Sequence, residues 1–292
     1  MTASEQRLAS VPELRDLALR SGRLRVRLWG DERSTAPAAI CIPGLSSNAS
    51  GFDHIARALA GRGHRVVALD LRGRAGSETT PPGTYGWPAH ARDVADVASA
   101  LHIERFDVVG HSMGAFVAMQ LAGDHSERVD RLVLIDGAGA PEPAALAPIA
   151  AGLERLDRWH DSEDAYVKAV RDAGVVRPWN DLWDRFYRYE LERRHDGRVR
   201  STTSLQAVLE DVEYGKANRQ DGLWARLDGP ALLVRATLPL GDSGGFIVAA
   251  EDARRFAEEV PAATVIGVEA NHFGVLADEA TSAAIVRFLG RE

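Results

Sequence analysis

A single cysteine, Cys41, stands in 292 residues. One thiol cannot build an internal disulfide, a zinc cluster or a Cys-x-x-Cys redox pair, so Cys41 is expected as a small apolar side chain in a buried strand. Long apolar runs are also missing. No stretch reaches the ~18 to 20 uncharged apolar residues that span a bilayer, and the start MTASEQRLASVPELRD lacks the basic head and apolar core of a secretory signal. These absences predict a cytoplasmic chain with no membrane partner. Basic charge is in deficit too: Lys and Arg number 35 against 42 Asp and Glu, a formal net charge of −7. Without a general basic field to attract phosphates, nucleic acid is not an expected partner. No His-x-x-x-His pair or clustered Asp/His spacing suggests a metal, and no cofactor is implied.

What remains is ordinary globular usage, with 45% hydrophobic and 26% charged residues in a chain long enough for one large domain or a core with an insertion. Residues 17 to 30 alternate apolar and polar around Ser21-Gly22, which predicts an opening hairpin. Four short apolar runs follow at 38–44, 64–70, 106–110 and 131–136, separated by helical spacing at 51–62, 89–102 and 114–123. Runs of this kind suit strands covered on both faces, and the alternation predicts βαβ units in an open, mostly parallel sheet. The pattern breaks after Asp136. From about 137 to 228 no good strand run appears, aromatic residues gather (Trp159, Trp179, Trp183, Phe186, Tyr187, Tyr189, Tyr214 and Trp224 among them), and an inserted helical lid is the simplest account; ELERRHDGRVR (190–200) reads as a solvated helix face and turn. Strand signals return at 230–236 and 263–269, with helices expected at 250–260 and 278–290. The predicted organisation is a core from 1–136 and 229–292 with a cap from 137–228. Homo-oligomer formation is left open.

Gly110-His111-Ser112-Met113-Gly114 directly follows the strand FDVVG and precedes an apolar helix. That is the context required of a Gly-x-Ser-x-Gly elbow, whose small residues let backbone pass close while the serine oxygen stands exposed at a helix N-terminus. A competing string, Gly241-Asp242-Ser243-Gly244-Gly245, copies the nucleophile motif of trypsin-like proteases. Those are paired β-barrels, usually disulfide-bonded, so a glycine-rich loop is the sounder reading of it.

The order of strands, elbow, lid-like insertion and late histidine resembles the α/β-hydrolase family over roughly residues 15 to 290. The resemblance implies an eight-stranded, mostly parallel sheet with helices on both faces and an inserted helical cap, and it makes Ser112 the nucleophile. It implies His272, in Ala-Asn-His-Phe-Gly after the final strand, as general base. For the orienting acid it leaves two candidates: Asp136, at the end of RLVLID, from where a minority of the family supplies it, and Asp242, nearer the usual location but in a departing local sequence. The oxyanion donors it implies are the amides of Met113 and Leu45, with Ser46 as fallback, although Pro43 replaces the family's common histidine. His111 is expected to line the elbow, the other seven histidines to be structural or exposed, and Arg72 and Arg74 to be surface or loop-packing residues.

The implied chemistry is acyl transfer: cleavage of a carboxylic ester or lactone of an apolar or aromatic small molecule through an acyl-enzyme on Ser112. Aspartate-dependent haloalkane dehalogenases and epoxide hydrolases of the same fold are excluded by the serine. Lid aromatics, Trp183 and Tyr187 among them, are expected to make an apolar pocket able to stack flat rings, and the whole is similar to lactonases acting on large resorcylic lactones. A C–C bond hydrolase acting on β-diketones with the same triad is the alternative, followed by a cofactor-free oxygenase or lyase and a non-enzymatic ligand receptor.

Overall fold

The computed structural model describes residues 11–219, 221–242 and 244–290. Ser243, the weighed rival nucleophile, lies outside the described residues. The described residues form ten strands: β1 (Glu13–Leu19), β2 (Gly22–Trp29), β3 (Ala38–Ile42), β4 (Val66–Leu69), β5 (Phe106–His111), β6 (Val129–Ile135), β7 (Leu191–Arg193), β8 (Val199–Ser201), β9 (Ala231–Ala236) and β10 (Ala263–Val268). Eight of them form one sheet in the order β1-β2-β4-β3-β5-β6-β9-β10. In this sheet β2 pairs antiparallel with both β1 and β4, and β4, β3, β5, β6, β9 and β10 pair in parallel. The apolar runs read as doubly covered strands are therefore parallel-sheet strands, as the alternation predicts.

Coverage of both faces follows from the two-residue period of a strand. In β3, Ile40 and Ile42 point into a core built with α2 (Trp87–Ala100), α3 (Met113–Asp124) and α8 (Ala250–Glu259), through Val94, Phe116 and Phe256. Ala39 and Cys41 point the other way, toward Ile55 and Leu59 of α1 (Asp53–Ala60) and Ile285 of α9 (Glu279–Leu289). Cys41 is fully buried, as expected of it.

Between β6 and β9 the chain leaves the sheet and forms α4 (Pro143–Leu153), α5 (Glu163–Asp172), α6 (Asp181–Tyr189) and α7 (Leu205–Ala217). Ser162, Asn180 and Ser204 cap the last three, each accepting a first-turn amide. The segment 190–200 departs from its helical expectation: β7 and β8 pair as an antiparallel hairpin. The cause is the turn at Asp196-Gly197, where Gly197 takes φ +88°, together with Val199, which is buried and bridges His160. Of the surface and loop-packing alternatives for Arg72 and Arg74, the structure shows loop packing. Both are buried, Arg72 on Asp93 of the core helix α2 and Arg74 on Asp211 of the cap helix α7.

Candidate active site

From β3 the chain continues to β4 on one side of the sheet and, later, to β5 on the other. Strand order reverses at β3, so the loops leaving β3 and β5 diverge and open a crevice beyond their carboxyl ends, the place where open α/β sheets bind ligands. The two loops are Pro43–Asn48 and the turn at Ser112.

Ser112 joins β5 to α3 at φ +55°, ψ −124°, a strained backbone for a residue with a side chain. Its amide donates to Ile135 O at 2.9 Å, and its carbonyl accepts from Ala115 N at 2.9 Å. The flanking glycines make the turn possible. A Cβ on Gly110 would lie 2.3 Å from Gly114 O, and one on Gly114 would lie 2.1 Å from Ile42 O. Absence of those methyl groups lets α3 start against the end of β3.

His272 Nε2 lies 3.0 Å from Ser112 Oγ, and His272 Nδ1 lies 2.8 Å from Asp136 Oδ2. The carboxylate can only accept, so Nδ1 carries the hydrogen and Nε2 is left to accept from the serine hydroxyl. Asp136 is itself fixed: its amide donates to Val234 O at 2.7 Å, and its Oδ1 accepts from Ala236 N at 3.1 Å. It is buried beneath His272 at the ends of β6 and β9.

Asp242, the alternative acid, is elsewhere. Its side chain is 84% exposed and accepts from Arg177 Nη1 at 2.8 Å. The loop after β9 turns outward there through Gly244 and Gly245, both at positive φ, which carries Asp242 to the surface.

The amides that the resemblance implies as oxyanion donors belong to residues at the mouths of these two loops. Met113 opens α3, Leu45 follows Gly44, and neither amide donates to another group among the described residues. Both residues and Ser46 line a cavity of about 470 Å³ that also reaches Ser112 and His272. Hydrogen-bond donors without protein acceptors beside a nucleophile are what a developing oxyanion requires.

The cavity wall corrects the substrate-contact expectation in part. Tyr187 lines it, but Trp183 does not; Trp183 is fully buried where the cap packs on the main domain, in one cluster with Ile55, Val275 and Leu276 and edge-on to Phe186 and Phe273. The cap offers mainly aliphatic groups to the cavity, including Leu146, Ile149, Leu153 and Val212. Aromatic surface comes largely from the core instead, where Trp87 stacks on Phe116 at 4.9 Å. Sequence reasoning missed Trp87, Phe116 and Arg155 as wall residues. The first two had an available signal, since Trp87 starts a helix and Phe116 lies one turn beyond Ser112; Arg155 had none.

The family model for the alpha/beta hydrolase fold matches residues 37–278. An uncharacterized protein of Mycobacterium tuberculosis is 38% identical over 105 residues, 36% of this chain and 30% of that one. N-formylmaleamate deformylase of Pseudomonas putida is 37% identical over 145 residues, 50% of this chain and 49% of that one. The matches thus span about a third to a half of these curated relatives. Among solved structures, E-2-(acetamidomethylene)succinate hydrolase superposes with a TM-score of 0.83 at 22% identity, covering 95% of this chain and 99% of that one. The chain belongs to the alpha/beta hydrolase fold family.

Proposed function

We propose that the chain is a serine hydrolase that cleaves a carboxylic ester or lactone of an apolar small molecule through an acyl-enzyme on Ser112. The observation that carries this reading is the unbroken line from Asp136 Oδ2 to His272 to Ser112 Oγ, with links of 2.8 and 3.0 Å, ending in a largely apolar cavity. In the proposed cycle, His272 Nε2 takes the hydroxyl proton as Ser112 Oγ attacks the carbonyl carbon. The carbonyl π electrons move to oxygen, where the Leu45 and Met113 amides receive the charge. Collapse expels the alkoxide, which takes the proton from His272. Water, deprotonated by the same nitrogen, then releases the acid and restores Ser112. Throughout, Asp136 holds the imidazole's tautomer and offsets its charge. Every proton is accounted for by the chain, the substrate and water.

Aliphatic lining from the cap favours esters whose acyl or alcohol part is an apolar chain or ring over charged ones. A panel of p-nitrophenyl esters of increasing chain length, apolar lactones and β-diketones tests the reading. Expected are ester or lactone turnover and a preference for apolar over carboxylate-bearing substrates. Cleavage of the diketones with no ester turnover would instead support the C–C hydrolase.

A further inference from the structure

Gly44, Leu45, Ser46 and Ser47 form a turn, closed by Ser47 N donating to Gly44 O at 3.2 Å. The central peptide unit of such a turn can stand in two orientations related by a half-rotation, which exchange the directions of its C=O and N–H. In this turn the choice is made from outside. Leu45 O accepts from Arg74 Nε at 3.1 Å, and Ser46 O accepts from Arg155 Nη2 at 2.8 Å. Three successive peptide units are therefore each held by their carbonyl edge. Because C=O and N–H lie on opposite sides of a trans peptide, Arg74 on Leu45 O holds the Ser46 amide, Arg155 on Ser46 O holds the Ser47 amide, and Ser47 N on Gly44 O in turn holds the Leu45 amide.

Both guanidinium groups are anchored by cap carboxylates. Arg74 pairs with Asp211 of α7, with both side chains fully buried; Asp211 also accepts from Gly86 N at 2.7 Å and His90 Nε2 at 2.9 Å. Burial would push the Asp211 carboxyl up, but His90 and Arg74 outweigh it and hold it down at about 2. Arg155 follows α4 and pairs with the buried Glu190 at 3.2 Å; the Tyr166 hydroxyl donates to the same carboxylate. Arg155 also reaches Gly152 O at 2.6 Å and Ser46 Oγ at 3.4 Å. Only a planar fork with several fixed donors can join a carboxylate to two carbonyls in this way, so lysine is a poor substitute.

We propose that Arg155 and Arg74 are positioning residues that lock the oxyanion-binding turn, and that the cap, through Glu190 and Asp211, sets this lock. The inference rests on the acyl-transfer reading above. It makes the cap part of the machinery that orients the amides, in addition to its part in the cavity wall.

The test is the rate at which short-chain and long-chain alkyl fluorophosphonates label Ser112, measured on folded protein verified by circular dichroism. Attack on phosphorus, with fluoride leaving, builds charge on the phosphoryl oxygen at the same amides without needing a known substrate. For Arg155→Met the expected result is a fall of about 10- to 100-fold, in the range of losing part of an oxyanion donor, by the same factor for both reagents. Arg155→Lys should recover little of it. Should Arg155→Met not fold, Tyr166→Phe leaves the ion pair in place and should give a smaller fall, again equal for the two reagents. Unchanged rates, or a fall confined to the long-chain reagent, would overturn the inference and leave Arg155 as cavity wall. Labelling of Ser112→Ala at the wild-type rate would instead overturn the hydrolase reading itself.

Discussion

His111 donates from Nε2 to the carbonyl oxygen of His272 at 2.9 Å, and the two imidazoles stack with centroids 4.5 Å apart. The elbow residue beside the nucleophile thus holds the backbone of the residue that faces it. Burial, and secondarily the neighbouring His272, push the His111 pKa well below its usual 6.5. Neutral His111 suits this place, since a second charge would oppose the imidazolium that the proposed cycle forms at His272.

A pH dependence of stability follows. In the unfolded chain His111 binds a proton near pH 6.5, whereas the folded chain resists it, so the unfolded state gains protons first as pH falls. Its contribution is fully present above pH 6.5 and is lost below, at up to about 1.4 kcal/mol per pH unit. Urea unfolding of wild type and His111→Gln between pH 7.5 and 5.5 should show a shallower loss in the variant. Parallel curves would remove His111 from the account.

Asp136 and Asp242 should separate sharply. Asp136→Asn leaves the shape but disturbs the tautomer of His272, and turnover should fall by about 10⁴-fold, as for other triads. Asp242→Asn breaks only an exposed pair with Arg177 and should keep turnover within about twofold. Steady-state kinetics on one ester decides it, and comparable losses in the two variants would contradict the arrangement.

Gly114→Ala should be severe, because its methyl would meet the backbone oxygen of Ile42 at 2.1 Å, where no side chain can yield. A loss above about 3 kcal/mol is expected, at the upper end for overpacking. In contrast, a Cβ on Gly152 of α4 meets nothing within 4 Å, and Gly152→Ala should stabilise by about 0.5 to 1 kcal/mol. Denaturant midpoints report both, and a mild Gly114→Ala would show that the elbow has slack.

The sheet was legible because each parallel strand is a short run covered on both faces, such as AAICI or ALLVRA, punctuated by helices with apolar spacing. The elbow was legible for a similar reason, since its strand, turn and helix are contiguous in the chain. Contacts across long separations were not. Arg74 finds Asp211, and Arg155 finds Ser46, only after the cap folds over the β3 loop, and no local spacing in the sequence links either pair. The hairpin at 191–201 was missed because charged residues mask an Asp-Gly turn whose partner strand buries a single valine. Aromatic residues in the cap carried a misleading weight: Trp183 fills the seam between cap and main domain rather than the cavity, because the insertion buries its apolar side against residues such as Ile55, Val275 and Leu276.

The central claim, an acyl-enzyme on Ser112, is tested most directly by quenching wild type and Ser112→Ala in acid during turnover of an apolar p-nitrophenyl ester and weighing the intact protein. The account predicts a wild-type species heavier by one acyl group, and for Ser112→Ala neither adduct nor turnover above a buffer control. Full turnover by Ser112→Ala would contradict it.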